Sequence, residues 1–204
     1  PAPIVSEAIF ENVMHTVIRA TVDAMASEGI PYTGFLYAGL MIDKSNKVKV
    51  LEYNCRFGDP ETQPLMARFK GDLIDVLWRT AAGTLDGASI EFEDSVACCV
   101  VMCSEGYPGS YKKGHTITGI EDAQSCDGVF VFHAGTDCTS GVLKTSGGRV
   151  LGVNAIAQDL DTARALANAA CEKIEFDGSF YRSDIGCRQN SKVDVTTSDS
   201  AASV

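Results

Sequence analysis

Three polar residues at the end of one apolar segment could do chemistry together. Glu52, Asn54 and, if the strand continues, Arg56 are spaced two residues apart, and Val48 and Val50 precede them at the same spacing. In a β-strand, residues spaced in this way share one face. A carboxylate and an amide oxygen can share one hard cation such as Mg²⁺, which keeps phosphates in its shell, and Arg56 would hold an anion through two parallel hydrogen bonds. The spacing indicates a metal–phosphate site, and a solvated strand end is the alternative interpretation.

A short loop follows these residues and leads into a predicted helix. It consists of Gly58, Asp59, Pro60, Glu61 and Thr62. A loop that ends at a helix N-terminus is suited to binding an anion or positioning a substrate. Asp59 and Glu61 have a second interpretation, because acidic residues in this position often only complement the helix dipole.

The elements around this site form a simple series. Apolar residues recur every four positions from Ser6 to Ser27, which predicts a helix that ends at Gly29. Two apolar segments, 32–42 and 47–54, flank a polar turn, and this pattern predicts an antiparallel hairpin. A second helix is predicted over about 62–82, where Gly83 ends it.

The rest of the chain has a different texture. Short strands are predicted over 95–103, 115–120, 128–136 and 149–157, followed by a helix that begins at Asp159 and ends near Ile174. The fold class is therefore α+β, with one unit over residues 1–83 and a small mixed α+β unit over 84–188. Residues 189–204 are rich in Ser, Thr and Asp, which predicts a linker or a disordered tail.

Composition excludes several classes of protein. The 204 residues are 45% hydrophobic and 22% charged, which is typical of a globular chain. A net charge of −10 argues against a non-specific nucleic-acid binder, and no apolar run is long enough to span a membrane. The eight cysteines are scattered without a CxxC pair, so we expect reduced thiols and a cytoplasmic protein. The first residue is Pro1, and we interpret the chain as a piece of a longer protein.

The segment Leu51–Gln63 resembles a known family. Glu52, Asn54 and Arg56 match the Glu-x-Asn-x-Arg signature of ATP-grasp ligases. Within that superfamily the chain resembles the glycinamide ribonucleotide synthetase (phosphoribosylamine–glycine ligase) family. The resemblance continues collinearly through the segments 34–41, 106–109, 111–114, 146–151 and 181–186.

The resemblance implies a fold, an activity and roles for the site residues. The fold would be the rear lobe of an ATP-grasp domain (helix, antiparallel hairpin, helix) followed by the C-terminal domain. The activity would be ATP-dependent ligation of glycine to 5-phosphoribosylamine in de novo purine biosynthesis, through a glycyl phosphate. Glu52 and Asn54 would bind Mg²⁺ (or Mn²⁺) together with ATP, Arg56 would be catalytic, and the loop 58–62 would bind substrate. Many ATP-grasp ligases carry another metal-binding acid on the strand that precedes this signature. The segment 32–42 contains no acid, so the resemblance does not assign the ligands of a second metal.

The resemblance also implies that more than this chain is needed. The front of the ATP-grasp domain would lie upstream of Pro1, so we expect the isolated chain to fold but to be inactive. Partners would be the N-terminal half of the same enzyme and, in a multifunctional polypeptide, other purine-pathway domains. Two alternatives stay open: an ATP-grasp carboxylate–amine ligase with another acceptor, and a non-catalytic assembly fragment.

Overall fold

A computed structural model describes residues 5–187. The chain begins with a long helical segment made of α1 (Glu7–Val13), a π-helical stretch (Met14–Arg19) and α2 (Ala20–Ser27). Its first turn is capped by Ser6, whose Oγ accepts a hydrogen bond from the backbone of Ile9. Gly29 lies just beyond its end with a φ of +80°. The predicted helix over 6–27 is confirmed.

An antiparallel hairpin follows, built from β1 (Tyr37–Ile42) and β2 (Val48–Asn54). The turn between them is closed by Asp43, whose Oδ1 accepts hydrogen bonds from the backbone N–H groups of Ser45 and Lys47 at 2.8 and 2.9 Å. The hairpin is confirmed, although its first strand begins five residues later than the segment 32–42 suggested.

The single helix predicted over 62–82 is wrong in one respect. The structure has two helices, α3 (Thr62–Arg68) and α4 (Leu73–Ala82), separated by the short strand β3 (Phe69–Lys70), which pairs with β4 (Glu91–Phe92). Gly71 has a φ of +119°, a conformation that a helix interior does not allow. Asp72 then caps α4 by accepting from two backbone N–H groups. Gly83 ends α4 in the left-handed conformation, as predicted.

The second half of the chain is organised around one antiparallel sheet and two helices. The bounds are β5 (Val96–Ser104), α5 (Ile120–Gln124), β6 (Val129–His133), β7 (Thr136–Asp137), β8 (Lys144–Thr145), β9 (Arg149–Ala157), α6 (Leu160–Cys171) and β10 (Ser179–Phe180). The strand order in the sheet is β10-β5-β9-β6, and α6 packs on β5 and β9. The α+β class is confirmed, and Asp159 caps α6 as predicted.

The main core lies between this sheet and α6. Side chains at alternate positions of β5 and β9 point at the helix, and small helix residues let the two approach closely. The central members of the core are Val100, Met102, Leu151, Val153, Ala163 and Ala167. Ala163 and Ala167 are four residues apart and therefore lie on the same face of α6.

The strand predicted over 115–120 is not formed. Thr116 and Thr118 make only isolated bridges, to Lys144 and Glu175, and α5 begins at Ile120. Gly119 has a φ of +82°, which turns the chain out of an extended path. Apolar alternation alone does not reveal this turn.

The opposite face of the sheet carries the first half of the chain. α3 packs on β5 and β9 there, so the helix that follows the candidate loop is seated on the second half. Within residues 5–187, no helix is long and apolar enough to cross a membrane. The predicted tail over 189–204 lies outside the described residues.

Candidate active site

A β-bulge in the hairpin decides which side chains share a face. Val50 pairs with Leu40, whereas Glu52 pairs with Gly39, so Leu51 is an extra residue in β2. Leu40 and Gly39 are adjacent and therefore point to opposite faces of the hairpin. Val50 and Glu52 consequently lie on opposite faces, and the prediction that Val48 and Val50 share a face with Glu52 is wrong.

The bulge leaves Glu52 and Asn54 together. Asn54 Nδ2 donates a hydrogen bond to Glu52 Oε1 at 3.1 Å, on the face that also carries Gly39. Glu52 is exposed and Asn54 is half-buried. The amide therefore holds the carboxylate at the end of the hairpin, and its own oxygen stays beside that carboxylate. The prediction that Glu52 and Asn54 share one face of the strand is confirmed.

Arg56 lies beyond the end of β2, so the strand does not continue to it. Its Nη1 donates to the carbonyl of Phe57 at 2.8 Å. The Phe57 ring contacts the Phe35 ring with centroids 4.0 Å apart, and this pair fixes the backbone after β2 against the segment before β1. Arg56 is thus held at the strand end by local contacts rather than by the pleat of the strand.

Tyr37 is a member of this site that the sequence did not single out. It pairs with Asn54 across the hairpin, and its hydroxyl donates to Glu61 Oε1 at 3.3 Å. Burial and the nearby carboxylates of Glu61 and Glu52 raise the pKa of Tyr37, and the Arg56 charge lowers it by a smaller amount. The phenol therefore stays protonated at neutral pH and can donate a hydrogen bond. Its position opposite Asn54 in the hairpin is the signal that could have identified it.

The candidate loop is closely packed at its first residue. A Cβ at Gly58 would lie 2.9 Å from Tyr37 Cε2 and even closer to the Glu61 carboxylate, so any larger residue would displace these two side chains. The backbone N–H of Thr62 donates to the carbonyl of Gly58 at 3.0 Å, and the Thr62 hydroxyl donates to the same oxygen. These contacts close the loop over the first turn of α3, while Pro60 is half-buried in it.

Asp59 ties the loop to the second half of the chain. Its carboxylate lies 3.0 Å from Arg149 Nη2 at the start of β9, and Arg149 Nη1 also donates to its carbonyl at 3.2 Å. Both side chains are partly exposed, so the pair orients the loop more than it stabilises the fold. Asp59 therefore has a specific partner, which the helix-dipole interpretation did not foresee.

The donor set at the hairpin end fits a Mg²⁺ ion shared with phosphates. Within residues 5–187, no group of three or more His, Cys, Asp or Glu side chains could hold a metal. Glu52 and Asn54 offer two neighbouring oxygen ligands, and Mg²⁺ commonly takes one or two protein ligands and completes its shell with water and phosphate. Glu52 and Asn54 could therefore supply part of the shell of a Mg²⁺ ion, but the hairpin end is not a self-contained metal centre.

Comparisons with known proteins agree with this geometry. The family description "Phosphoribosylglycinamide synthetase, ATP-grasp (A) domain" matches residues 1–62. "Phosphoribosylglycinamide synthetase, C domain" matches residues 97–188. The first match includes the hairpin and the loop, and the second includes the four-stranded sheet.

Curated relatives extend over nearly the same part of the chain. A phosphoribosylamine–glycine ligase from Ralstonia nicotianae is 49% identical over 188 residues, which are 92% of this chain and 44% of that protein. A trifunctional purine biosynthetic protein adenosine-3 from Gallus gallus is 50% identical over 189 residues, which are 92% of this chain and 19% of that protein. The chain therefore spans less than half the length of these relatives.

Solved structures show the same fold. The phosphoribosylamine–glycine ligase of Thermotoga maritima is 31% identical with a TM-score of 0.76, over 90% of this chain and 44% of that one. A biotin carboxylase domain of a Hydrogenobacter thermophilus 2-oxoglutarate carboxylase, solved with MgADP, ADP and bicarbonate, has a TM-score of 0.52 at 18% identity, over 80% of this chain and 36% of that one. The second likeness concerns the fold alone. With its hairpin and loop in the ATP-grasp match and its sheet in the C-domain match, the chain belongs to the phosphoribosylglycinamide synthetase family.

Proposed function

We propose that this chain is the C-terminal portion of a phosphoribosylamine–glycine ligase that acts in purine biosynthesis. The observation that carries the proposal is the joint placement of Glu52, Asn54 and Arg56 at the end of a hairpin, beside a closely packed loop. The names of the relatives supply the substrates, glycine and 5-phosphoribosylamine. We further propose domain boundaries at 83 and 188.

The proposed chemistry begins with an unreactive carboxylate. The γ-phosphoryl group of ATP is transferred to a carboxylate oxygen of glycine, and ADP leaves. The amine of phosphoribosylamine then attacks the carbonyl carbon, and phosphate leaves. Catalysis of phosphoryl transfer depends on positioning and on neutralising negative charge. A bound Mg²⁺ or Mn²⁺ would supply positive charge that offsets the negative charge of the reacting phosphates.

The residues of this chain have separate tasks in that scheme. Glu52 and Asn54 hold the metal through neighbouring oxygens. Arg56 offers a delocalised charge and parallel N–H donors to the phosphoryl group or to the glycine carboxylate. The loop Gly58–Thr62 positions the substrate, and Asp59 fixes that loop through Arg149.

The parent polypeptide provides the direct test. We expect the full-length protein to sustain ADP release over many turnovers only when glycine and phosphoribosylamine are both present, with Mg²⁺ or Mn²⁺. ADP release that follows another carboxylate or another amine acceptor would instead assign a different ATP-grasp ligase. A full-length protein without any ATP-dependent ligation would favour the non-catalytic assembly role.

The 204-residue chain by itself provides a second test. Its site contains the metal ligands, but an acyl phosphate forms efficiently only when all reacting groups are held in position and shielded from water. We therefore expect the isolated chain to fold and to show no substrate-dependent ADP release. Substrate-dependent turnover by residues 1–204 would contradict this division of the site.

A further inference from the structure

Two amide side chains with buried polar atoms lie where the first half of the chain contacts the second. Asn154 lies in the middle of β9 and is 0% exposed, and neither its Oδ1 nor its Nδ2 has a hydrogen-bond partner within the described residues. Gln63 lies in the first turn of α3, and its Oε1 is also buried without a partner there. Buried polar groups are nearly always satisfied, so two such groups at one interface call for an explanation.

The sheet register places the two amides near each other. Gly152 and Asn154 share the face of β9 on which α3 is seated. Gln63 reaches the Gly152 position, because a Cβ there would lie 3.6 Å from Gln63 Nε2 and 3.5 Å from Cys99 Sγ. Cys99 is itself the direct cross-strand partner of Asn154. Same-face neighbours on a strand are about 7 Å apart, a distance that an amide side chain and one water bridge together.

We propose that Gln63 and Asn154 are joined across this interface through one buried water, and that their contact sets the position of the Gly58–Thr62 loop. Each amide has both a donor and an acceptor, so the pair can satisfy the groups that are otherwise unpartnered. A buried water with polar partners on both sides is a regular part of protein interiors. Gln63 and Asn154 are therefore positioning residues.

The contact bears on the loop because α3 begins inside it. Thr62 is hydrogen-bonded to Gly58 through both its backbone and its hydroxyl, and Gln63 is the next residue. A shift of α3 along the sheet would therefore move the loop relative to Glu52 and Arg56. The ion pair of Asp59 with Arg149 lies on the exposed rim of the same interface, so the two contacts fix the loop from the inside and the outside.

Melting temperatures of the 204-residue chain test the contact without any assay of activity. Gln63→Met keeps the shape of the side chain but leaves the buried amide of Asn154 without its hydrogen-bonding partner. We therefore expect a lower melting temperature than that of the parent chain. The double variant Gln63→Met/Asn154→Leu removes both polar groups and is expected to melt above either single variant. The exposed residue Gln158 provides a matched control, since Gln158→Met should leave the melting temperature unchanged.

The opposite result has an equally clear meaning. If the two amides were unconnected, each single replacement would remove an unsatisfied buried group and leave the melting temperature unchanged or raise it. Effects that simply add in the double variant would also overturn the contact. Should an apolar replacement prevent folding, Asn154→Ser supplies a second variant, whose hydroxyl and released space keep a water bridge and should preserve most of the stability.

The positioning role is tested in the full-length protein and rests on the proposed function. For Gln63→Met we expect kcat to fall about tenfold while the KM for Mg-ATP stays within about twofold, because the metal ligands are untouched. Asn154→Ser should retain more of kcat than Asn154→Leu. A folded Gln63→Met variant with unchanged kcat would overturn the positioning role. If the parent protein itself shows no ligase activity, the proposed function fails, while the melting temperatures still decide the contact.

Discussion

The two halves of the described chain are packed very differently. Between 84 and 187, a four-stranded sheet and α6 enclose one continuous apolar core. Between 5 and 83, the buried apolar side chains are Ile9, Val17 and Val76, and large apolar residues such as Trp78 on α4 are 74% exposed. A two-stranded hairpin has too little sheet to bury its own apolar faces. The candidate site thus lies on the half that depends on neighbouring structure for its stability.

The two halves therefore have different roles at the candidate site. The hairpin supplies the charged and polar groups, and the second half supplies a rigid surface on which α3 and the loop are seated. Exposed positions of the hairpin should therefore affect turnover strongly and stability weakly. Positions in the core of the second half should do the reverse.

The largest expected effect is that of Glu52→Gln in the full-length protein. The change keeps the shape of the side chain but removes the charge that would hold the metal, so we expect kcat at limiting Mg²⁺ to fall by about 100-fold or more. The melting temperature should not change, because Glu52 is exposed. The measurement is kcat as a function of Mg²⁺ concentration together with a melting curve.

Glu93→Gln is the control for that variant. Glu93 is an exposed acid shortly before β5 whose carboxylate lies 3.6 Å from Lys70 Nζ. Removing its charge should leave kcat and the melting temperature near those of the parent protein. Near-normal turnover of Glu52→Gln at limiting Mg²⁺ would contradict the metal assignment.

A pair of identical substitutions tests the contrast in stability. Leu151 is 0% exposed in the core of the second half, and Leu151→Ala should lower the free energy of unfolding by about 2–5 kcal/mol. Leu51, the extra residue of the bulge, is 64% exposed, and Leu51→Ala should change it by less than about 0.5 kcal/mol. Urea denaturation of the 204-residue chain measures both. Equal losses from the two variants would mean that the hairpin is buried as deeply as the sheet.

A smaller effect is expected from the ion pair between the halves. Arg149→Gln removes the partner of Asp59, so the loop loses its outer attachment, and we expect turnover of the full-length protein to fall about tenfold. The free energy of unfolding should change by at most about 1 kcal/mol, because the pair is partly exposed. Arg79→Gln breaks another exposed ion pair, with Asp75, and should leave turnover unchanged. If both variants are equally active, the Asp59 pair does not orient the loop.

The mildest test compares the alkylation of two cysteines and requires no substitution. Burial raises the pKa of Cys99 to about 12, so at pH 8 roughly one molecule in ten thousand carries the thiolate there. Cys55, between Asn54 and Arg56, is exposed. Iodoacetamide followed by mass spectrometry should find Cys55 modified and Cys99 unmodified until urea unfolds the chain. Rapid modification of Cys99 in the folded chain would show that the sheet face under α3 is open.

The thiols whose pKa is raised by burial predict how stability changes at alkaline pH. The pKa values of Cys99 and Cys171 are raised by burial from an ordinary value of 9.0 to about 12. Between these values the unfolded chain has lost the protons that the folded chain retains, so stability is present below pH 9 and falls as pH rises toward 12. Urea titrations at pH 8 and pH 10 measure this decrease, and a rise in stability would contradict the burial of these thiols.

Local patterns predicted the elements that have local causes. Ser6, Gly29, Gly83 and Asp159 act as helix boundaries because caps and left-handed glycines depend only on neighbouring residues. The hairpin followed from its polar turn. The prediction missed the break in the helix at Gly71, although Gly-Asp before an apolar run is a local start signal for a new helix.

The composition of the candidate site was predictable, but its geometry was not. Spacing identified Glu52, Asn54 and Arg56, yet the alternation rule assumes a strand without interruption. The bulge at Leu51 reverses the faces before Glu52, and Arg56 leaves the strand altogether. Tyr37 belongs to the site only because the hairpin register brings it opposite Asn54.

The sequence by itself determined which chemical groups this protein carries and which short elements present them, because hydrogen-bonding capacity, charge and local backbone preference reside in single residues and their neighbours. The tertiary structure decided which of those groups meet. Asp59 finds Arg149 ninety positions away, and Gln63 lies over Gly152 on a strand of the other half. Such contacts depend on the position of a helix on a sheet. That position is determined by the packing of the whole interface rather than by any local pattern.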